Sequence, residues 1–297
     1  MKTLRKSIWM LLAVLAFPTA AFCGGAWLPE PGKGDFQLGF SRKTASSSWN
    51  TDGNTFPNGS YHDFRYTYLT GEYGLLRRVS ARYTITYLNG YEGPHGNMEK
   101  NAGFSDAWLG LKFGLAQGSW PMALAATTRT PYLYDQPGAY NRYLYDSRGN
   151  IRGVSPEWRG LLKRDYTLSY LLSHSFQGGR GWFNVETGYT WRDGAPADQV
   201  PTYLEVGWPL PWHGIAAKGT LFDVRSLGND TPRQPDDRFG SSATNNFNDA
   251  SMTRGGIGLI VPLNSKGLSA ELGYNQWLRG ISARRYREPY LSFGYRF

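Results

Sequence analysis

The sequence predicts an all-β fold: a transmembrane up-and-down antiparallel β-barrel of about 12 strands, with both termini periplasmic. Three observations carry this. The last stretch, Arg287 to Phe297, puts Leu291, Phe293, Tyr295 and Phe297 on alternate positions, with Tyr290, Ser292, Gly294 and Arg296 between them. A period of two sends the two sets to opposite faces of a strand. About a dozen such segments follow one another, and their connections are alternately long and short. The chain also opens on a secretion leader.

In that leader, Lys2, Arg5 and Lys6 precede an apolar run from Ile8 to Phe17 and small residues up to Cys23. This is the layout of a cleaved signal peptide over residues 1–23. The run is too short to span a bilayer as a helix, which takes about 20 residues. Cleavage after Ala21 and after Cys23 both fit. A lipidated Cys23 is the alternative, which bulky Phe22 suits poorly. Residues 24–297 then form a single outer-membrane barrel domain. Cys23 is the only cysteine, so a chain cut after it has no thiol chemistry.

The formal net charge is +9, and the leader carries three of those cations away. The remaining excess is no sign of nucleic acid. It fits contact with acidic lipopolysaccharide, or a lumen that prefers anions. Mean hydropathy is −0.48, and no long apolar run follows the leader, which excludes a helical membrane protein. A barrel passes this test because only alternate residues face lipid. Aromatic residues make up 15% of the chain, with 20 Tyr and 11 Trp. Such a supply suits girdles at two membrane interfaces.

Taken in order, Gly24–Gly34 is rich in Gly and Pro and is not expected to pair regularly. The first strand lies near Asp35–Arg42, followed by a long polar loop through Trp49, Asn54 and Pro57. The second, near His62–Gly71, alternates Phe64, Tyr66 and Tyr68 with Arg65 and Thr67. A tight turn leads to the third, near Val79–Leu88, where Val79, Ala81, Tyr83, Ile85 and Tyr87 alternate with Ser80, Arg82, Thr84 and Thr86. A Gly/Asn-rich loop spans Asn89–Gly103. Strands four to seven fall near Ser105–Leu115, Met122–Thr130, Leu162–Ser173 and Phe183–Trp191. The longest connection, Pro131–Gly160, lies between five and six. Strands eight to twelve fall near Thr202–Trp208, Ile215–Val224, Ser251–Val261, Leu268–Tyr274 and the closing stretch.

A charged side chain facing mid-membrane lipid costs about 2–4 kcal/mol. The charges between the apolar residues are therefore assigned to the lumen: Arg65, Arg82, Asp106, Lys112, Arg129, Lys163, Asp165, Glu186, Arg192, Glu205, Lys218, Glu271, Arg279 and Arg296. They either pair into a sealed core, as in side-chain-filled eight-stranded barrels, or line a water-filled path. The Pro131–Gly160 loop offers Tyr140, Arg142, Tyr143, Tyr145 and Arg148 as ligand contacts. Tyr faces and Arg forks suit sugars or aromatic acids, and the same Arg residues suit lipopolysaccharide phosphates.

No metal, cofactor or catalytic set is expected. His62, His95, His174 and His213 lack metal-ligand spacing. Adjacent His174 and Ser175 point to opposite faces of a strand, unlike the wall-mounted pair of outer-membrane phospholipases. The acidic stretch around Asp230, Asp236 and Asp237 lacks the spacing of a calcium loop.

The terminal Phe297, with Tyr295 and Phe293, resembles the signal read by the barrel-assembly machinery of the bacterial outer membrane. The mature start GGAWLPEPGKGDFQLGFS, the strand–turn GEYGLLRRVSARYTITY and the segment SDAWLGLKFGL resemble a wider family. It is the transporter-like outer-membrane proteins assigned to the meta-pathway of phenol degradation. The resemblance implies a barrel passing small, often aromatic or hydrophobic, compounds. The expected function is thus a channel for small molecules, not an enzyme. A sealed barrel acting through its external loops, or a lipid-modifying enzyme, are the alternatives. Expected partners are outer-membrane lipids, lipopolysaccharide and a small-molecule solute.

Overall fold

The computed structural model describes residues 25–50, 52–94, 99–130, 143–145, 151–154, 164–176, 178, 181–193, 197–212, 214–228, 250–281 and 283–297. The leader, residues 1–23, lies outside them. The described residues form strands and connections. No helix among them is long and apolar enough to cross a membrane.

The strands are β1 (Gly34–Trp49), β2 (Thr55–Leu76), β3 (Val79–Pro94), β4 (Glu99–Phe104), β5 (Ala107–Ala116), β6 (Met122–Thr130), β7 (Tyr143–Tyr145) and β8 (Ile151–Val154). They continue as β9 (Asp165–Phe176), β10 (Gly181–Arg192), β11 (Gln199–Pro209), β12 (Ala216–Ser226), β13 (Ser251–Pro262), β14 (Leu268–Ile281), β15 (Ala283–Arg284) and β16 (Arg287–Arg296). Each neighbour along the wall is antiparallel. β1 closes the sheet, pairing with β16 on one side and β2 on the other. β4 and β5 lie end to end along β3, and β15 and β16 end to end along β1. The result is a closed barrel of 12 staves. Among the described residues, β7 and β8 form a separate two-stranded sheet.

Two expected loops are strand instead. Trp49, Asn54 and Pro57 do not lie on a long loop, because β1 and β2 run on past Ser47, which pairs with Pro57 across a bulge. The connection is a tight turn in which Asn50 Oδ1 accepts from the Asp52 and Asn54 amides at 3.0 and 2.8 Å. Gly53, at φ 78°, takes the left-handed residue of that turn. Within the expected loop Asn89–Gly103, residues 89–94 likewise continue β3 and residues 99–103 belong to β4. Pairing extends the sheet here because it satisfies backbone groups that a loop would leave to water.

Directly paired residues share a face, so the ladder assigns every side chain to one side of the wall. Phe36, Leu38 and Phe40 share the outer face with Leu291 and Phe293 of β16. Leu111 and Phe113 on β5, Leu168 and Tyr170 on β9, and Ile257 and Leu259 on β13 continue the band, and all are exposed. The inner face holds Glu72, Ser80, Lys112, Asn184, Glu205, Glu271 and Ser292, all buried. The molecule is apolar outside and ionic within.

Glycine makes room for the inner aromatics. Gly207 pairs directly with Trp182, and a Cβ there would lie 2.0 Å from the indole. Gly273 stands in the same relation to Tyr290. Each ring lies flat across the backbone of its partner strand and aims its polar tip at a carboxylate: Trp182 Nε1 donates to Glu205 at 2.7 Å and Tyr290 Oη to Glu271 at 2.6 Å.

Gly207→Leu should therefore displace the indole and lower the temperature at which the purified barrel loses its compact gel migration. The cost should be about 1–3 kcal/mol, as for other overpacked interiors. Gly219→Leu, on the outer face with open space around it, should leave that temperature unchanged.

Candidate functional site: the barrel lumen

The lower lumen, at the end bearing Gly25, Phe297 and the short turns, is filled. Residues Gly25–Leu28 lie inside the wall rather than beneath it. Ala26 is 0% exposed and packs on Ala123, Ala125 and Leu171, with Leu28 against the same cluster. Trp27 packs on Trp182, Ala216 and Ile260. The inner positions facing this segment are small, Ala123 and Ala125 on β6 and Ala216 on β12, which leaves it the space.

Lys112 secures the segment. It is fully buried. Its ammonium donates to the Trp27 carbonyl at 2.6 Å, the Gly25 carbonyl at 3.0 Å and the Glu72 carboxylate at 2.7 Å. All three protons are thus used, as a buried cation requires. Ser80 gives Glu72 a further hydrogen bond. On the far side the Ala26 amide donates to Ser173 Oγ, which donates to Asn184 Oδ1. Asn184 Nδ2 then donates to Glu205. A Cβ on Gly25 would overlap Asn184 and Ser173, so the segment fits at this position only as glycine.

Above the segment, Arg82 and Glu186 meet fork to fork, with two bonds of 3.2 Å. They stand on β3 and β10, four places apart around the wall, so their pair bridges the lumen. Lys218 reaches over β13 to Glu271 at 2.7 Å and lies 3.6 Å from Glu205. Gly258, between them on β13, is where a side chain would obstruct Glu271. Near the opposite end, Asp106, just before β5, and Arg129, Asp165 and Arg192 on β6, β9 and β10 form a ladder, with Arg129 2.6 Å from Asp165. Between the ladder and the lower seal, inward Tyr66, Tyr68, Thr84, Thr127, Thr167 and Gly188 are only half-buried. The upper lumen therefore has room for water beside these side chains, and the lower lumen does not.

Of the charges expected to point inward, Arg82, Asp106, Lys112, Arg129, Asp165, Glu186, Arg192, Glu205, Lys218, Glu271 and Arg296 do so. Arg65 does not. It pairs with outward Arg42, beyond the apolar band and next to Asp63, which Arg42 binds at 2.6 Å. The β2 residues expected to face lipid, Phe64, Tyr66 and Tyr68, turn inward instead. They share their face with Glu72, whose burial beside Lys112 sets the phase of the whole strand. Arg279 also faces outward: a bulge between Thr253 and Arg254 pairs it with outward Thr253. Lys163, Tyr140, Arg142 and Arg148 lie outside the described residues. Tyr143 and Tyr145 stand on β7, apart from the barrel sheet.

Sequence reasoning missed Lys43, Glu72, Arg254, Glu288 and the inserted Gly25–Leu28. Glu72 was legible, since it alternates in phase with Tyr68 and Tyr66. With these included, the described inward carboxylates Asp35, Glu72, Asp106, Asp165, Glu186, Glu205, Glu271 and Glu288 match the cations Lys43, Arg82, Lys112, Arg129, Arg192, Lys218, Arg254 and Arg296 one for one. A lumen preferring anions is one of two readings of the positive excess, and these residues, whose side chains are described, give it no net charge. His174 faces outward, stacked on Trp120 at 4.1 Å with Nδ1 2.7 Å from the Ser119 carbonyl.

No family model matches the sequence, and no curated protein matches it either. Solved structures do resemble the fold. An outer membrane channel from Pseudomonas putida F1 superposes with a TM-score of 0.66 at 11% identity, over 93% of this chain and 98% of that one. The translocator domain of the autotransporter NalP from Neisseria meningitidis gives 0.50 at 11% identity, over 100% and 98%. At such identities the likeness is one of fold.

Lys112→Met should free the inserted segment. With Ala26→Cys as the probe, maleimide should label the folded protein slowly, and about tenfold faster once Lys112→Met is added, as expected on losing charge-assisted hydrogen bonds. Equal labelling rates would show that Lys112 is not what holds the segment.

Proposed function

We propose that this protein is a channel of the bacterial outer membrane, passing small organic solutes through a lumen sealed at its periplasmic end by Gly25–Leu28. The observation that carries the reading is the inverted polarity of the wall combined with a half-open interior. A continuous apolar exterior is suited to lipid, which offers backbone groups no hydrogen bonds and so demands a closed sheet. The wet upper lumen suits a vestibule.

Short turns and both termini then face the periplasm, and the longer connections face outward toward lipopolysaccharide, as in barrels of this class. Phe293 and Tyr295, on the outer face of the last strand, and exposed Phe297 are available to the assembly machinery. The fold shared with an outer membrane channel supports the reading, as does the resemblance to transporter-like barrels, which points to aromatic or hydrophobic cargo. The protein acts by passage rather than catalysis. Passage requires the inserted segment to leave, with the Arg82–Glu186 bridge as a second constriction.

The buried seal also favours a second reading, in which the barrel stays shut and works through its external connections. Planar-bilayer recordings separate the two. The intact protein should conduct rarely or in brief openings. Deletion of residues 25–30 should give sustained conductance at least about tenfold higher, and Arg82→Ala should raise it further by widening the path. If the deleted, correctly folded barrel conducts no better than bare lipid, the channel reading fails and the sealed one stands.

A further inference from the structure

The upper lumen contains a loosely paired set of two cations. Lys43 on β1 and Arg254 on β13 both point inward, and both border the indole of Trp277. Lys43 Nζ is 5.6 Å and Arg254 Cζ 5.4 Å from its centroid. Lys43 also lies 4.4 Å over the Tyr66 ring, and Arg254 5.2 Å over Phe222. The two share one carboxylate, Glu288, at 3.6 and 3.7 Å. Those distances are too long for hydrogen bonds, and neither cation has a closer acceptor among the described residues.

The carboxylates nearby are in the opposite condition. Glu288 accepts from Ser41 at 2.8 Å and Asn275 at 3.2 Å. Glu271 accepts from Tyr290, and Glu205 from Trp182, Asn184 and Tyr203. All three are buried. Lys43 and Arg254, by contrast, keep 24% and 27% of their side chains open to the lumen. What this part of the wall presents to water is therefore positive, though the inward charges whose side chains are described sum to zero. Around the two charges stand half-buried Tyr66 and Phe222, with Trp277, 4% exposed, packed behind them.

We infer that Lys43 and Arg254 form a binding site for a small monocarboxylate with an aromatic body. The carboxylate takes the unused donors of the ammonium and the guanidinium, which are stronger toward an anion than toward neutral oxygen. The ring lies against the open parts of Tyr66 and Phe222, where offset or edge contacts are favourable. This names the solute class of the proposed vestibule and rests on that reading only for the purpose of the site. Binding itself is measured without any passage across a membrane.

The test uses the full protein in detergent and isothermal titration with benzoate, benzyl alcohol and acetate. Benzoate should bind. Lys43→Met and Arg254→Met should each weaken it about tenfold, the usual effect of losing one charge-assisted bond, and Lys43→Arg should restore most of the affinity. Each single variant leaves Glu288 one cation, so the barrel should remain folded, as its heat-dependent gel migration will report. Failure of benzoate to bind, or affinity unchanged in both variants, overturns the site. Benzyl alcohol binding as well as benzoate overturns the role of charge, and acetate doing so overturns the role of the ring. A barrel that binds benzoate by these rules but never conducts would overturn the channel reading and leave the site in place.

Discussion

The structure depends on one constraint: the sheet must have no free edge. β1 meets this by pairing along both its sides, with β2 and with β16. Once the edge is gone, the two faces of the wall become inside and outside, and side-chain alternation acquires a fixed meaning. Apolar residues go outward together. Charges are driven inward together, whether or not the lumen has water for them. The irregularities serve the same end. The breaks between β4 and β5 and between β15 and β16, and the bulges near Ala45 and Thr253, bend or restart a stave without leaving a neighbour unpaired.

Confinement of so many charges creates a second problem, which the lower and upper lumen solve differently. Below, burial is nearly complete, and each ion is held by several partners. Lys112 is the extreme case, and its needs are met partly by the backbone of the inserted segment. Barrel and segment therefore stabilise one another: an unpartnered Lys112 would be costly to bury, and the segment has few contacts of its own. Above, water reaches the wall, and charges there are tolerated with looser pairing. This makes the upper lumen the place where a solute can compete for a cation, while the lower lumen can only be opened by moving something.

How far the primary structure was readable follows from which interactions are local. Alternation is local, and it was enough to place most inward charges, including Arg82 and Glu186, which meet across the lumen. It erred where a single break in phase intervened. Arg279 lies beyond a bulge in the β13–β14 pairing that its own neighbours do not announce. Arg65 sits on a strand whose aromatic face, Phe64, Tyr66 and Tyr68, looks suited to lipid; its true phase is set by Glu72, through a partner 40 positions away. Loop lengths were misjudged where paired strands project past the apolar band, because a polar composition suits an extended hairpin as well as a coil.

From the order of residues alone came the all-β class, the stave count, the alternation of the faces and the ionic character of the interior, because each follows from a period of two and the cost of charge in lipid. The folded chain alone decided that the lower lumen is occupied, that the opposing charges balance among the described inward residues, and that two cations above it are left with donors to offer. These are properties of distance between strands far apart in sequence. Only closure of the wall brings Gly25 to Lys112, or Lys43 and Arg254 to one indole.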